Sequence, residues 1–289
     1  ASTAVGGSIL AGQLAARGGV AYHPSGGTHH AMPDHASGFC YFNDPVFAIL
    51  SLLQQGASRV AYVDLDAHHG DGVEAAFVND PRVLTFSVHE QDRWPGTGRL
   101  DDRGRGNTFN LPVPPGLNDS EFDFLLQHAL LPVLRGFEPE AAVLTCGADA
   151  LAGDPLSTMA LSNRCLVDAV MRLIDTAPAA VVLGGGGYNP WTLARYWTAL
   201  WGRIGGHAIP DHLPAACVDT LTALNCDLID TDEVNPDWLN TLLDARHDGT
   251  VRDEVRRDVA SLLASIDMAW RLRADTNAPE MLARNAPHV

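Results

Sequence analysis

The chain has no lysine. All 19 of its basic residues are arginine, set against 35 Asp and Glu, for a formal net charge of -16. Without lysine there is no P-loop lysine to hold phosphates, and any lysine chemistry the chain performs acts on another molecule. Clustered positive charge is missing as well, which sets direct nucleic-acid binding aside, because phosphate recognition depends on it. A cationic substrate suits the balance better, although acidity speaks first to solubility and host composition. Cysteine is sparse and scattered: Cys40, Cys146, Cys165, Cys217 and Cys226 form no C-x-x-C pair, which argues against a disulfide framework or a zinc ribbon and for thiols that are mostly buried. No apolar run approaches the ~18 residues of a membrane helix, and the opening "ASTAVGGSIL" lacks the charged segment of a secretory signal. The expectation is a cytoplasmic protein with no membrane partner.

What is present is a chain of 289 residues, 46% hydrophobic, enough for one large α/β domain with a buried core. Apolar runs alternate with amphipathic ones. Strands are expected at "GGVAY", "RVAYVDLD", "RVLTFSVH", "AAVLTCG" and "AAVVLGGGG". Helices are expected over residues 1–17, "DPVFAILSLLQQG", "GDGVEAAFVND", "SEFDFLLQHALLPVLRGF", "SNRCLVDAVMRLIDT" and "PWTLARYWTALWG". Buried β-rich runs separated by helices predict a three-layer α/β/α domain with a mostly parallel central sheet. A Gly/Pro-rich loop is expected over about residues 92–118, and a mostly helical tail over 205–289, in which "DARHDGTVRDEVRRD" reads as a solvated charged face.

The polar residues fall at strand ends. Asp64, Asp66 and His68 follow one strand, His89 the next, Asp149 follows "AAVLTC", and Tyr188 follows "AAVVLGGGG". Ligands of an open parallel sheet bind outside the carboxyl ends of its strands, so these groups are expected to converge on one crevice. Asp66 and His68, two residues apart, would grip one ion with Asp149 arriving from another strand. Two carboxylates and one imidazole with an open position suit a catalytic zinc, or another divalent transition metal, better than calcium or magnesium. In "SGGTHHAMPDHASGFCYFND" the adjacent His29 and His30 each need a partner, and Asp64 and Asp71 are available, a pattern of acid–base machinery. The glycines of "LGGGGYNP" miss the dinucleotide spacing and are read as letting backbone approach a substrate beneath Tyr188.

At these motifs the chain resembles the zinc-dependent histone deacetylases of the arginase/deacetylase superfamily, in particular the class I-like bacterial branch of acetoin-utilisation-type enzymes. "GGTHHA", "SGFCYFND", "VDLDAHHGDGVEAAF", "PGTG", "CGADALAGDPL" and "LGGGGYNP" stand in the family's order over about residues 1–204. The resemblance implies one catalytic domain over 1–289 with the arginase/deacetylase fold, lacking the family's N-terminal portion. It implies Asp66, His68 and Asp149 as zinc ligands and Tyr188 as the hydroxyl that stabilises the transition state. His30 with Asp71 is implied as general base and acid, and His29 with Asp64 as its electrostatic partner. Phe39 and Trp94 would wall an acyl-lysine channel with Gly38 and Leu156 at its rim. A potassium ion is implied beneath the zinc, held by Asp64, Asp66, His68, Ser87 and Val88. The implied reaction removes acetyl groups from lysine side chains of proteins or peptides, with acetylated polyamines as alternative substrates. A binuclear manganese hydrolase of the arginase type is the more distant alternative. It needs a further metal-binding carboxylate close to Asp149, and "CGADALAGD" has none two residues away.

Overall fold

The computed structural model describes residues 1–266. In chain order the elements are α1 (Ser2–Ala15), β1 (Gly19–His23), α2 (Asp44–Gln54), β2 (Val60–Asp64), α3 (Asp71–Phe77), β3 (Val83–Glu90), β4 (Thr108–Val113), α4 (Asp119–Leu125), α5 (Leu131–Phe137), β5 (Ala141–Thr145), α6 (Asn163–Ile174), β6 (Ala179–Leu183), α7 (Pro190–Ile204), α8 (Ala215–Thr222), α9 (Asp237–Asn240) and α10 (Asp253–Ala264). The strands form one six-stranded sheet in the order β1-β6-β5-β2-β3-β4, and every pairing is parallel.

Alternation along each strand builds the layers. In β2, Val60 and Tyr62 face a core shared with Ala11 of α1, Ile49 and Leu52 of α2 and Phe77 of α3. Ala61 and Val63 face the opposite core, with Phe122 of α4, Leu166 and Val170 of α6 and Tyr196 of α7. With both faces covered, the central strands β2, β3, β5 and β6 are buried from end to end, which is why they read as unbroken apolar runs.

Register places the site. Asp64, the last residue of β2, lies opposite Ser87 of β3 and Thr145 of β5, and Thr145 lies opposite Leu183 of β6. The loops that leave β2, β5 and β6 therefore start at one level on the carboxyl edge.

Three stretches differ from the sequence expectation. The loop expected over 92–118 contains the edge strand β4, whose sequence TFNLPV includes Pro112; an edge position tolerates a residue with no N–H. The helix expected over "SEFDFLLQHALLPVLRGF" widens into a π turn at Leu126–Leu130, directly ahead of Pro132, which has no N–H to continue the ladder. Within the tail, α8, α9 and α10 are short helices joined by irregular chain; the remainder of the expected helical tail, residues 267–289, lies outside the described residues.

The charged stretch of the tail is a strap more than a solvated face. Asp244 pairs with the buried Arg195 of α7 (2.7 Å), Arg246 with Asp123 (2.7 Å) and Arg252 with the buried Glu121 of α4 (2.6 Å). After these charges Val255, Val259 and Leu262 of α10 enter the main core. No helix among the described residues is long and apolar enough to cross a membrane.

Removing Asp244 leaves the Arg195 guanidinium buried without its carboxylate. Asp244→Ala is expected to lower stability by about 3–5 kcal/mol, the usual cost of breaking a buried pair. Urea denaturation checks this, and a loss below about 1 kcal/mol, typical of surface pairs, would show that the strap does not depend on it.

Candidate metal centre and active site

The loop after β2 carries Asp66 and His68, and the turn after β5, Ala148–Ala150, carries Asp149. One ligand atom from each lies within 4.8 Å of the others, and all three residues are buried. His68 Nδ1 faces both carboxylates, at 3.2 Å from Asp66 Oδ1 and 3.0 Å from Asp149 Oδ2. Backbone amides hold the carboxylates in place: Gly186 donates to Asp66 Oδ2 (2.6 Å), His68 to Asp66 Oδ1 (3.0 Å) and Ala67 to Asp149 Oδ1 (3.0 Å).

Burial of carboxylates side by side is costly without a cation. Burial and the neighbouring Asp66 push Asp149 up to about 7. Asp66 stays low despite burial, because His29 and His68 favour its charged form. Burial opposes protonation of His68, yet the Asp149 and Asp66 carboxylates hold it up at about 10. Two carboxylates that must borrow neighbouring protons and positive rings to stay buried, together with one imidazole between them, match the donor types of a divalent transition metal. These residues fit a metal ion.

Around this centre lie the histidines. His29 Nδ1 is 2.7 Å from Asp64 Oδ2 and its Nε2 is 3.7 Å from Asp66 Oδ1. His30 Nδ1 is 2.8 Å from Asp71 Oδ1. A carboxylate only accepts, so each Nδ1 carries a proton; in neutral His30, Nε2 keeps the lone pair. Burial lowers both rings, but for His29 the Asp64 and Asp66 charges prevail and raise it to about 9. His30 stays below its usual value, through burial and the nearby His29. One ring is set up as a cation and its neighbour as a base.

His30 and His68 open into a cavity of about 910 Å³ whose lining includes Phe39, Trp94, Leu156 and Tyr188. Trp94 meets His30 edge-on at 4.5 Å between ring centres, and Phe39 lies 6.1 Å from Tyr188. Gly38, at φ +52°, packs so closely that a Cβ there would sit 2.4 Å from Trp94 Cη2 and 2.5 Å from His30 Cδ2. Burial and the Asp149 and Asp66 charges push the Tyr188 phenol above its usual range, so it keeps its proton. Ser87 and Val88 lie one strand away from the metal cluster, with Ser87 in register with Asp64.

The glycines after β6 bring backbone up to the Asp66 and Asp149 carboxylates: a Cβ on Gly186 would stand 2.2 Å from Asp149 Oδ2 and 3.0 Å from Asp66 Oδ2. Other contributors escaped the sequence reading. Tyr62 donates to Asp64 Oδ2 (2.5 Å) from inside an apolar strand. Asp154 accepts from the amides of both Tyr188 (2.7 Å) and Leu156 (2.9 Å). Glu90 takes Arg93 and Thr158 together, while Arg93 reaches the Leu156 carbonyl (2.8 Å), so the Trp94 and Leu156 walls are tied. Asp154 lies within "CGADALAGDPL" and Glu90 beside His89, but neither pattern named its partner.

A profile of the histone deacetylase domain matches residues 1–204. Histone deacetylase 1 of Oryza sativa subsp. japonica is 42% identical over 200 residues, 68% of this chain and 38% of that protein. Histone deacetylase 8 of Xenopus tropicalis is 38% identical over 222 residues, 74% of this chain and 60% of that protein. The chain thus spans between 38% and 60% of these relatives' lengths. Among solved structures, a histone deacetylase homologue from Aquifex aeolicus superposes with a TM-score of 0.84 at 38% identity, covering 90% of this chain and 72% of that one. A homologue complexed with SAHA superposes at 0.83 with 37% identity, over 90% of this chain and 72% of that one.

Gly186→Ala places a methyl group against a carboxylate that has no room to retreat. Divalent-metal affinity is expected to fall about 10- to 100-fold, the range for disturbed supports of metal ligands, with the circular dichroism spectrum unchanged. Competition against a fluorescent chelator measures it, and wild-type affinity would refute the fit.

Proposed function

The chain belongs to the histone deacetylase family, and from that premise we propose that it is a zinc-dependent amidohydrolase that removes acetyl groups from lysine side chains of proteins or peptides. The observation that carries this is the convergence of Asp66, His68 and Asp149 with His30 and Tyr188 on one cavity. Zinc held there would polarise the amide carbonyl and make water a better nucleophile near neutral pH. His30 would accept the proton of the attacking water at Nε2 and return it to the leaving nitrogen, yielding acetate and a free amine. Asp71 holds that ring by Nδ1. His29, charged against Asp64, would keep the field of the carboxylates from protonating His30. Tyr188 would donate to the oxygen on which negative charge develops, a contact worth roughly 10²- to 10³-fold in rate.

Phe39, Trp94 and Leu156 support an apolar channel for the lysine methylenes. Acetylated polyamines are the second reading, favoured by Asp92: it lines the mouth with its carboxylate exposed and bonded by the Gln91 side chain at 3.3 Å, where it would meet a cationic tail. Among the described residues, Asp66, His68 and Asp149 are the one cluster suited to a metal, which supports a single catalytic ion over a binuclear manganese pair. A potassium ion under the zinc belongs to the same reading. His89 Nε2 must donate to the Gly98 carbonyl (3.0 Å), so its Nδ1 accepts from the Ser87 hydroxyl (2.9 Å). Ser87 oxygen thereby keeps its lone pairs beside Asp64, as a donor to a hard cation needs.

His30→Ala is expected to lower deacetylation of acetyl-lysine peptides by at least about 10²-fold with zinc retained, whereas His29→Ala leaves measurable turnover. Rates on acetyl-lysine peptides and acetylpolyamines, with zinc measured by elemental analysis, check both the roles and the substrate. Equal activity of the two variants would overturn the roles, and no hydrolysis of either substrate class by zinc-loaded protein would overturn the function.

A further inference from the structure

The "PGTG" stretch, residues 95–98, has no part in the chemistry above, yet the structure lays it directly on two buried histidines. His69 Nδ1 is 2.9 Å from Thr97 Oγ1, and its Nε2 is 3.0 Å from Glu74 Oε2. Glu74 accepts, so Nε2 carries a proton, and in that tautomer Nδ1 accepts a hydrogen bond from the Thr97 hydroxyl. Asn110 of β4 steadies the same Glu74 oxygen (2.8 Å). Next to it, His89 donates from Nε2 to the Gly98 carbonyl (3.0 Å). The two rings lie 4.7 Å apart. Gly98 rests on both: at φ +80°, a Cβ there would stand 2.6 Å from His69 Cδ2 and 2.7 Å from His89 Cε1. Only glycine brings backbone so near in that conformation.

We infer that His69 and His89 form a clamp on Thr97 and Gly98 that positions Trp94, and so sets the width of the substrate cavity relative to the metal centre. His69 is the chain neighbour of His68, so a wall hung on His69 is indexed to the metal ligands. His89 lies in the strand that carries Ser87, and Glu90, the last residue of that strand, holds the near end of the loop through Arg93 (2.6 Å). The far end, after Trp94, depends on the clamp. Behind the loop a cavity of about 340 Å³, lined by Gly96, Thr97, Leu100 and Pro112, leaves room for it to retreat once the clamp is released. His69, His89 and Thr97 are positioning residues, acting through Trp94.

The consequence for substrate use rests on the deacetylase reading, whereas the position of Trp94 is measurable without it. Thr97→Val removes the hydroxyl at nearly constant volume, and Gly98→Ala forces a methyl group onto both rings, so the two variants release the loop by different routes. Acrylamide quenching of Trp94 emission, taken as the difference between each protein and its Trp94→Phe counterpart, is expected to rise about twofold in both. KM for an acetyl-lysine peptide is expected to rise about tenfold with kcat within about twofold and zinc content unchanged, as for lost uniform binding. Thr97→Ser, which restores the donor, is expected to return both readings to wild type. Wild-type quenching in Thr97→Val or in Gly98→Ala would overturn the clamp. An inactive wild-type protein with the quenching changes intact would overturn the deacetylase reading and leave the clamp standing.

Discussion

The site is organised by the burial of Asp66 and Asp149 against each other. Two carboxylates in a protein interior repel, and each has lost the water that would stabilise its charge. The surrounding groups answer that cost piece by piece. Amides of Ala67, His68 and Gly186 donate to the oxygens, His29 supplies a positive ring, and His68 stands between the two carboxylates. None of the chain's arginines pairs with either carboxylate among the described residues, and an arginine there would fill the place of the metal. The donor set that remains, two carboxylates and one imidazole, suits a divalent transition metal.

Geometry at this level requires a scaffold that brings separate loops to one height. The parallel register of β2, β5 and β6 does so, because Asp64, Thr145 and Leu183 end their strands side by side. Small residues then allow the loops to meet. Gly147 and Gly186 sit against the carboxylates where a Cβ would overlap them, and Gly98 lies against the two histidines behind Trp94. The proposed metal ligands, acid–base pair and channel wall are thus carried by loops that brace one another more than by any single element.

Much of this was legible in the sequence, for a physical reason. Buried strands read as unbroken apolar runs, and polar residues directly after them, such as Asp66, His68 and Asp149, have few uses on a carboxyl edge other than a ligand. The edge strand β4 was not legible, because Pro112 and its glycine-rich flanks carry the signal of a loop and its pairing with β3 is non-local. The tail misled for a similar reason: Arg246 and Arg252 look solvated until their partners Asp123 and Glu121, more than a hundred residues earlier, are brought beside them. Tyr62 is hidden within an apolar run by composition, and the roles of Asp154 and Glu90 lie in contacts between loops that no spacing records. The glycines of "LGGGG" signal close approach of backbone, but the spacing does not name the Asp66 and Asp149 carboxylates that lie against them.

The central claim is that the buried carboxylates demand one divalent ion per chain. Titration of the metal-stripped protein with zinc, followed by native mass spectrometry and thermal unfolding together, tests it most directly. The account predicts binding that saturates at a single ion and a rise in Tm, with stabilisation of about 4 kcal/mol at a thousandfold excess over Kd. Two tightly held ions per chain, or a melting temperature indifferent to zinc, would contradict it.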